Sequence, residues 1–182
     1  MFTGVSLVRA AVLAAALSAT AGAAEDADQE YRLKAAFVYQ FSQFVDWPEA
    51  AWVNLKDVEL CVSGAEALQR ELERLVKGES LRGRPYVVRA LGPDDAVASC
   101  LVLVVTARSK DDVTELLRDT VGRPILTIGE TDRFLDDGGI IRLTLDQRRV
   151  RFDVSAAEAR RAGLRISPQL LNLARSIRGG PS

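Results

Sequence analysis

CLVLVV, Cys100 to Val105, carries no charge and no polar alternation. A strand covered on one face alternates apolar and polar residues, whereas one covered by helices on both faces reads as an unbroken apolar run. This run therefore predicts a central strand inside an α/β domain. Similar short, β-branched runs lie on either side of it: VELCVSG (Val58–Gly64), YVVRAL (Tyr86–Leu91) and PILTIG (Pro124–Gly129). Between them, residues 65–76 place Leu68, Leu72, Leu75 and Val76 on one helical face, and residues 111–120 do the same with Val113, Leu116 and Leu117.

GGIIRLTLDQRRVRFDVS, residues 138–155, predicts a hairpin. Ile141, Leu143 and Leu145 alternate with Arg142 and Thr144. Across the turn, Val150, Phe152 and Val154 alternate with Arg149, Arg151 and Asp153. Ser155 and Glu158 form a capping-box pattern that opens a helix closed by Gly163. Ser167 and Pro168 open a last helix, read through Ile177, as N-cap and first-turn proline. The fold class is α/β in a single domain: a mixed sheet of about five to six strands flanked by helices, with a C-terminal hairpin followed by two helices.

At the other end, FVYQFSQFVDWP (Phe37–Pro48) concentrates three Phe, a Tyr and a Trp. Leu33, Phe37, Phe41 and Phe44 fall at helical spacing, so a helix over about 30–46 is expected to bury this stripe. Pro48 disfavours helix at Trp47 and ends it there. Trp47 reads as a packed cap on the helix end. Trp52 divides evenly between packing and surface contact, since a ring with a polar handle often anchors an interface.

Residues 1–24 read as a cleavable signal peptide: Arg9, an apolar run from Ala10 to Leu17, then small residues with an A-x-A pattern at Ala21–Ala23. The alternative is an uncleaved anchor, but the run is too short to span a bilayer. Residues 25–182 would form the exported domain. Composition is ordinary for a globular chain, at 48% hydrophobic and 27% charged with a net charge of -1, so no bulk charge draws it to nucleic acid.

The 182 residues contain no His and two Cys. Without His, Ser-His-Asp and Cys-His catalysis and His-ligated metals are excluded. Two Cys need acidic help to hold zinc. In an exported protein the even count points to a Cys61–Cys100 disulfide, with two buried thiols in neighbouring strands as the alternative. The acidic doublets Asp94-Asp95, Asp111-Asp112 and Asp136-Asp137 read as helix-terminal and loop residues rather than catalytic pairs or a Ca²⁺ loop. Arg142, Arg148, Arg149 and Arg151 gather on the open face of the hairpin, where they would meet an acidic partner or a phosphate, or blunt edge pairing as a solvated strand face. No cofactor is indicated, and no catalytic residue is assigned.

LKAAFVYQFSQFVDWP with LCVSG after it, then GRPYVVRAL, the C-LVLVV strand and the run ILTIGETDRFLDDGGIIRLTLDQRRVRFDVSAAEARRAGLRISPQLLNLARSI together resemble the YfiR family, in order, from Tyr31 to Ile177. That resemblance implies a periplasmic repressor. It would bind the periplasmic sensor domain of an inner-membrane diguanylate cyclase and keep cyclic di-GMP and biofilm formation low. It also implies sequestration by an OmpA-like outer-membrane lipoprotein, and leaves a homodimer open. Cys61 and Cys100 match one family Cys pair, whose oxidation is linked to folding. Some members carry a second pair in the segment matching Phe134–Arg142, where this chain has none. The candidate partner-binding residues are Trp52, Arg142, Arg149 and Arg151. Two other classes compete with this one: a periplasmic small-molecule sensor with a pocket near the basic hairpin, and an exported hydrolase built on acidic residues, which the missing His and nucleophile motif disfavour.

Overall fold

The computed structural model describes residues 28–53, 55–92, 95–106, 110–146 and 149–180. The signal-peptide reading, Arg148, Asp94 and the side chain of Asp111 lie outside the described residues.

Helix α1 covers residues 28–43. It stops short of Asp46 because the backbone is claimed by another partner. Val45–Asp46 (β1) pairs antiparallel with Arg165–Ile166 (β9), and the Phe44 carbonyl accepts from Ser167 N at 2.9 Å. A 3₁₀ turn, Glu49–Trp52, follows Pro48. Then come β2 (Val58–Ser63), α2 (Glu66–Leu75), β3 (Ser80–Leu81), β4 (Arg84–Ala90), β5 (Cys100–Val105), α3 (Lys110–Asp119) and β6 (Leu126–Gly129). The chain closes with β7 (Ile141–Asp146), β8 (Arg149–Ser155), α4 (Ala156–Arg161), β9, α5 (Pro168–Leu173) and β10 (Ser176–Arg178).

Eight strands make the main sheet, in the order β10-β8-β7-β6-β5-β2-β4-β3. The five central strands from β7 to β4 are mutually parallel, while β8, β10 and β3 run against them. All six predicted strands are present. The two beyond them are short edges. β3 forms because Arg82 and Gly83 both take positive φ (51° and 77°) and close a two-residue hairpin turn. β10 replaces the predicted end of the last helix: α5 stops at Leu173, Ala174 turns extended, and Ile177 pairs with Val154. Both predicted N-caps hold. Ser155 Oγ accepts from Glu158 N, and Ser167 Oγ accepts from Leu170 N.

Every residue of β5 is buried, as its unbroken apolar run requires. On one face of the sheet, Leu60, Val102, Ile128, Leu143 and Phe152 pack against Val38 and Phe41 of α1, Leu68 and Leu72 of α2, and Leu170 of α5. On the other, Leu103 and Val105 meet Val113 and Leu117 of α3 and Phe134 of the loop before β7. Phe134 is fully buried between Gly129 and Gly139; a Cβ at either glycine would lie 2.2 Å from its ring. Gly64, at φ +120°, passes so close to the Thr106 carbonyl that a Cβ would sit 2.0 Å away. Lys34, only 7% exposed, pairs with Glu30 one turn earlier on α1 (2.5 Å) and pins the helix to the loop after β6 through Glu130 (2.9 Å).

Candidate binding surfaces

The hairpin arginines, grouped in the sequence, separate in space. Arg149 and Arg151 are exposed. Arg142 is not part of an open basic face: its Nε and Nη2 donate to Asp153 Oδ2 (3.2 and 2.8 Å) and its Nη1 to the Asp132 carbonyl (2.7 Å). Asp153, which simple alternation places on the polar face, is 1% exposed. It accepts further bonds from Arg175 Nε (3.0 Å) and Ser176 Oγ (2.7 Å). Burial alone would raise its pKa, but the bonds from Arg175, Ser176 and Arg142 outweigh that and hold the carboxyl well below the usual carboxylate range. The hairpin is thereby tied to the C-terminal strand. Glutamate at both Arg149 and Arg151 should leave thermal stability within about 0.5 kcal/mol of the parent, as for most exposed sites. If this face meets an acidic partner, the same change should slow association and weaken its salt dependence, read by surface binding kinetics.

Trp52 is packed rather than presented. It is 6% exposed, meets Trp47 edge-to-face at 6.2 Å, and lies under the guanidinium of Arg82 (4.7 Å from the ring centroid). Arg84, with its guanidinium 5.6 Å from the same ring centroid, donates to the carbonyls of Leu55 (2.7 Å) and Trp52 (3.0 Å). The 3₁₀ turn tucks the indole inward, which removes it as a surface contact. Trp47, at 3% exposure, packs as predicted.

Cys61 and Cys100 are joined in a disulfide between adjacent strands, with Cα atoms 5.8 Å apart. A register shift after Glu59 sets Cys100 opposite Glu59, so the cysteines meet diagonally on one face of the sheet. Arg89 of β4 covers the bridge. It donates to Glu59 (3.0 Å), to Ser99 Oγ (3.0 Å) and towards both sulfurs (3.5 Å each). Glu59, Cys61 and Cys100 bring three ligand-type atoms within 4.8 Å of one another. With both sulfurs in the bridge and Arg89 on the carboxylate, the cluster is an ion-paired strap across three strands. Cys61→Ser should lower the unfolding free energy by about 2–4 kcal/mol, the usual worth of a bridge closing a loop of this length. Equal denaturant midpoints with and without reductant would contradict that.

The aromatic stripe of α1 divides. Phe41 is 1% exposed, and its ring meets Phe152 edge-to-face at 4.9 Å. Phe37 and Phe44 are only half-buried, Leu33 is 37% exposed, and Leu173 of α5 is 73% exposed. Between the two helices lies an open apolar groove of about 210 Å³, floored by Phe41 and Phe152. Helical spacing identified the stripe but not how much of it α5 would cover. A signal was available in α5 itself: Leu170, Leu171 and Leu173 cannot all face inward from so short a helix.

A second cavity, of about 450 Å³, lies between the end of α3, the loop before β7 and α4. Leu117, Val121 and Ile140 make its apolar walls, with Arg118, Asp137 and Arg161 at the rim. Its residues come from positions 114 to 162 and converge only through the topology, so no local motif announced it.

No helix among the described residues is long and apolar enough to cross a membrane. The family model for YfiR/HmsC-like proteins matches residues 31–175, from the first turns of the aromatic stripe to the arginine that grips Asp153, and the chain belongs to the YfiR/HmsC-like family.

Proposed function

We propose that residues 1–24 export this protein to the periplasm, and that residues 25–182 form a non-catalytic regulator acting by protein binding. Its target is the periplasmic sensor domain of an inner-membrane diguanylate cyclase, and the effect is repression, with less cyclic di-GMP and less biofilm. Membership of the YfiR/HmsC-like family supports the target. The observation that carries binding as the mode of action is the groove between α1 and α5. Large apolar side chains left open together mark an interaction site more often than chance exposure.

Repression then requires unequal affinity for the two states of the cyclase. Turning a population from mostly active to mostly inactive takes a preference of about 10⁴-fold, or about 5.5 kcal/mol. An OmpA-like outer-membrane lipoprotein that competes for the same regulator would release the cyclase.

The test is intracellular cyclic di-GMP in the native bacterium with and without the gene. A rise on deletion, reversed by the full-length gene but not by one lacking residues 1–24, is the expected result. An unchanged level with the protein confirmed to be expressed would overturn the reading.

A second reading, a periplasmic small-molecule sensor, is favoured by one observation. The 450 Å³ cavity falls inside the range of about 300–1,000 Å³ that small-molecule sites occupy. Its rim carries both signs of charge. A metabolite screen by thermal shift, repeated on Val121→Lys, would test it: a stabilising ligand lost in the variant supports the reading, and none found counts against it.

A further inference from the structure

We propose that the α1–α5 groove is the anchor slot for one uncharged aromatic side chain of a partner protein, with Gln40 and Gln169 bonding the peptide groups beside it. The inference rests on the protein-binding reading above and specifies the chemistry of the contact.

Size comes first. At about 210 Å³ the groove is smaller than the usual small-molecule site of about 300 Å³ or more, and it is on the scale of a single bulky side chain. Charge comes second. The residues that line it include no Asp, Glu, Lys or Arg, so a charged group entering it would lose water and gain no counter-charge. Shape comes third. Four of the lining residues are phenylalanines: Phe37, Phe41, Phe44 and Phe152. The rings of Phe37, Phe41 and Phe152 already meet at 4.9 to 6.1 Å in tilted and edge-to-face pairs. An entering ring extends that packing, whereas a flexible chain does not.

The polar groups at the rim argue for a peptide. Gln40 and Gln169 are exposed, line the groove, and have no side-chain hydrogen-bond partner among the described residues. An amide side chain offers both a donor and an acceptor, matching the N–H and C=O that flank a side chain on a peptide. An anchor residue in an apolar pocket, surrounded by modest polar contacts, is how most interface energy is concentrated. Leu173, the most exposed apolar residue of the rim, would be covered by the bound segment.

The probe is N-acetyl-L-phenylalaninamide, one aromatic side chain between two amides, titrated into the protein purified from the periplasm and followed by amide NMR shifts. Saturable shifts at Leu33, Phe37, Phe44 and Leu173 are expected, with at least tenfold weaker binding in Leu173→Lys. Val53→Lys, an equally drastic change at an exposed valine elsewhere, should bind as the parent does. In cells, Leu173→Lys exported at the parent level should give the cyclic di-GMP level of the deletion strain. Absence of saturable shifts would overturn the slot. So would saturation by octyl glucoside without the aromatic amide, which would assign the groove to acyl chains. Full repression by Leu173→Lys would overturn the slot while leaving the regulator reading intact. If deletion itself changes nothing, the regulator reading fails and the titration alone decides the slot.

Discussion

Asp153→Ala is expected to lower the unfolding free energy by about 3–5 kcal/mol, the cost of breaking a buried ion pair from one side. The carboxylate is 1% exposed and serves three groups at once: Arg142 on the neighbouring strand, and Arg175 and Ser176 at the entry to the C-terminal strand. Its loss strands Arg142, whose side chain is 16% exposed, without its main counter-charge. It also frees β10, whose three residues are all exposed and whose hydrogen-bonded strand partner, among the described residues, is β8 alone. Arg175→Ala should cost much less, since that side chain is 44% exposed and regains water. Urea titrations of the two variants separate the cases. Equal and small losses would mean that the cluster is ornamental.

The same carboxylate sets an acid limb. Its folded-state pKa lies below the unfolded value of about 3.9, so its contribution is fully present above that pH and disappears as pH falls towards the folded value. The stability gap between parent and Asp153→Asn should therefore be widest near neutrality and narrow below about pH 4. A gap that stays constant down to pH 2 would show that the loss in the variant is steric rather than ionic.

Asp153 also shows why part of the fold was legible and part was not. The central strands could be read because burial on both faces leaves a mark in each residue: β5 has no position that tolerates water. The caps at Ser155 and Ser167 could be read because their chemistry is local. Alternation along β8 sent Asp153 to the solvent face, and the strand does turn it away from Phe152. What alternation cannot register is a later segment joining the sheet beside β8, which is what residues 176–178 do, bringing the side chains of Arg175 and Ser176 onto Asp153. The same long-range capture turned Ser176 and Ile177 from predicted helix into strand. The disulfide was legible as a count of two, while its place across a register shift belonged to the sheet. Among the candidate contacts, Arg149 and Arg151 remain available. Arg142 and Trp52 were taken by partners 11 and 30 residues away in the chain, Asp153 and Arg82.

Phe41→Ala is the second large effect, at about 3–5 kcal/mol. The stripe on α1 has two kinds of member, and this substitution tells them apart. Phe41 is 1% exposed and fixed between Phe37 at 5.8 Å and Phe152 at 4.9 Å, so its truncation leaves a hole under the helix that faces β8. Leu173→Ala, on the open side of the same groove, removes side-chain atoms that are already largely wet and should change stability by no more than about 0.5 kcal/mol. A double-mutant cycle of Phe41→Leu with Phe152→Leu should show a coupling of about 0.5–1.5 kcal/mol for the edge-to-face pair. The ordering matters more than any single value. If Phe41→Ala costs under about 1 kcal/mol, α1 is not held to the sheet by its aromatic floor, and the groove has no rigid base on which to receive a partner. If it costs the full amount while Leu173→Ala costs nothing, the floor serves the fold and the rim is free to serve binding.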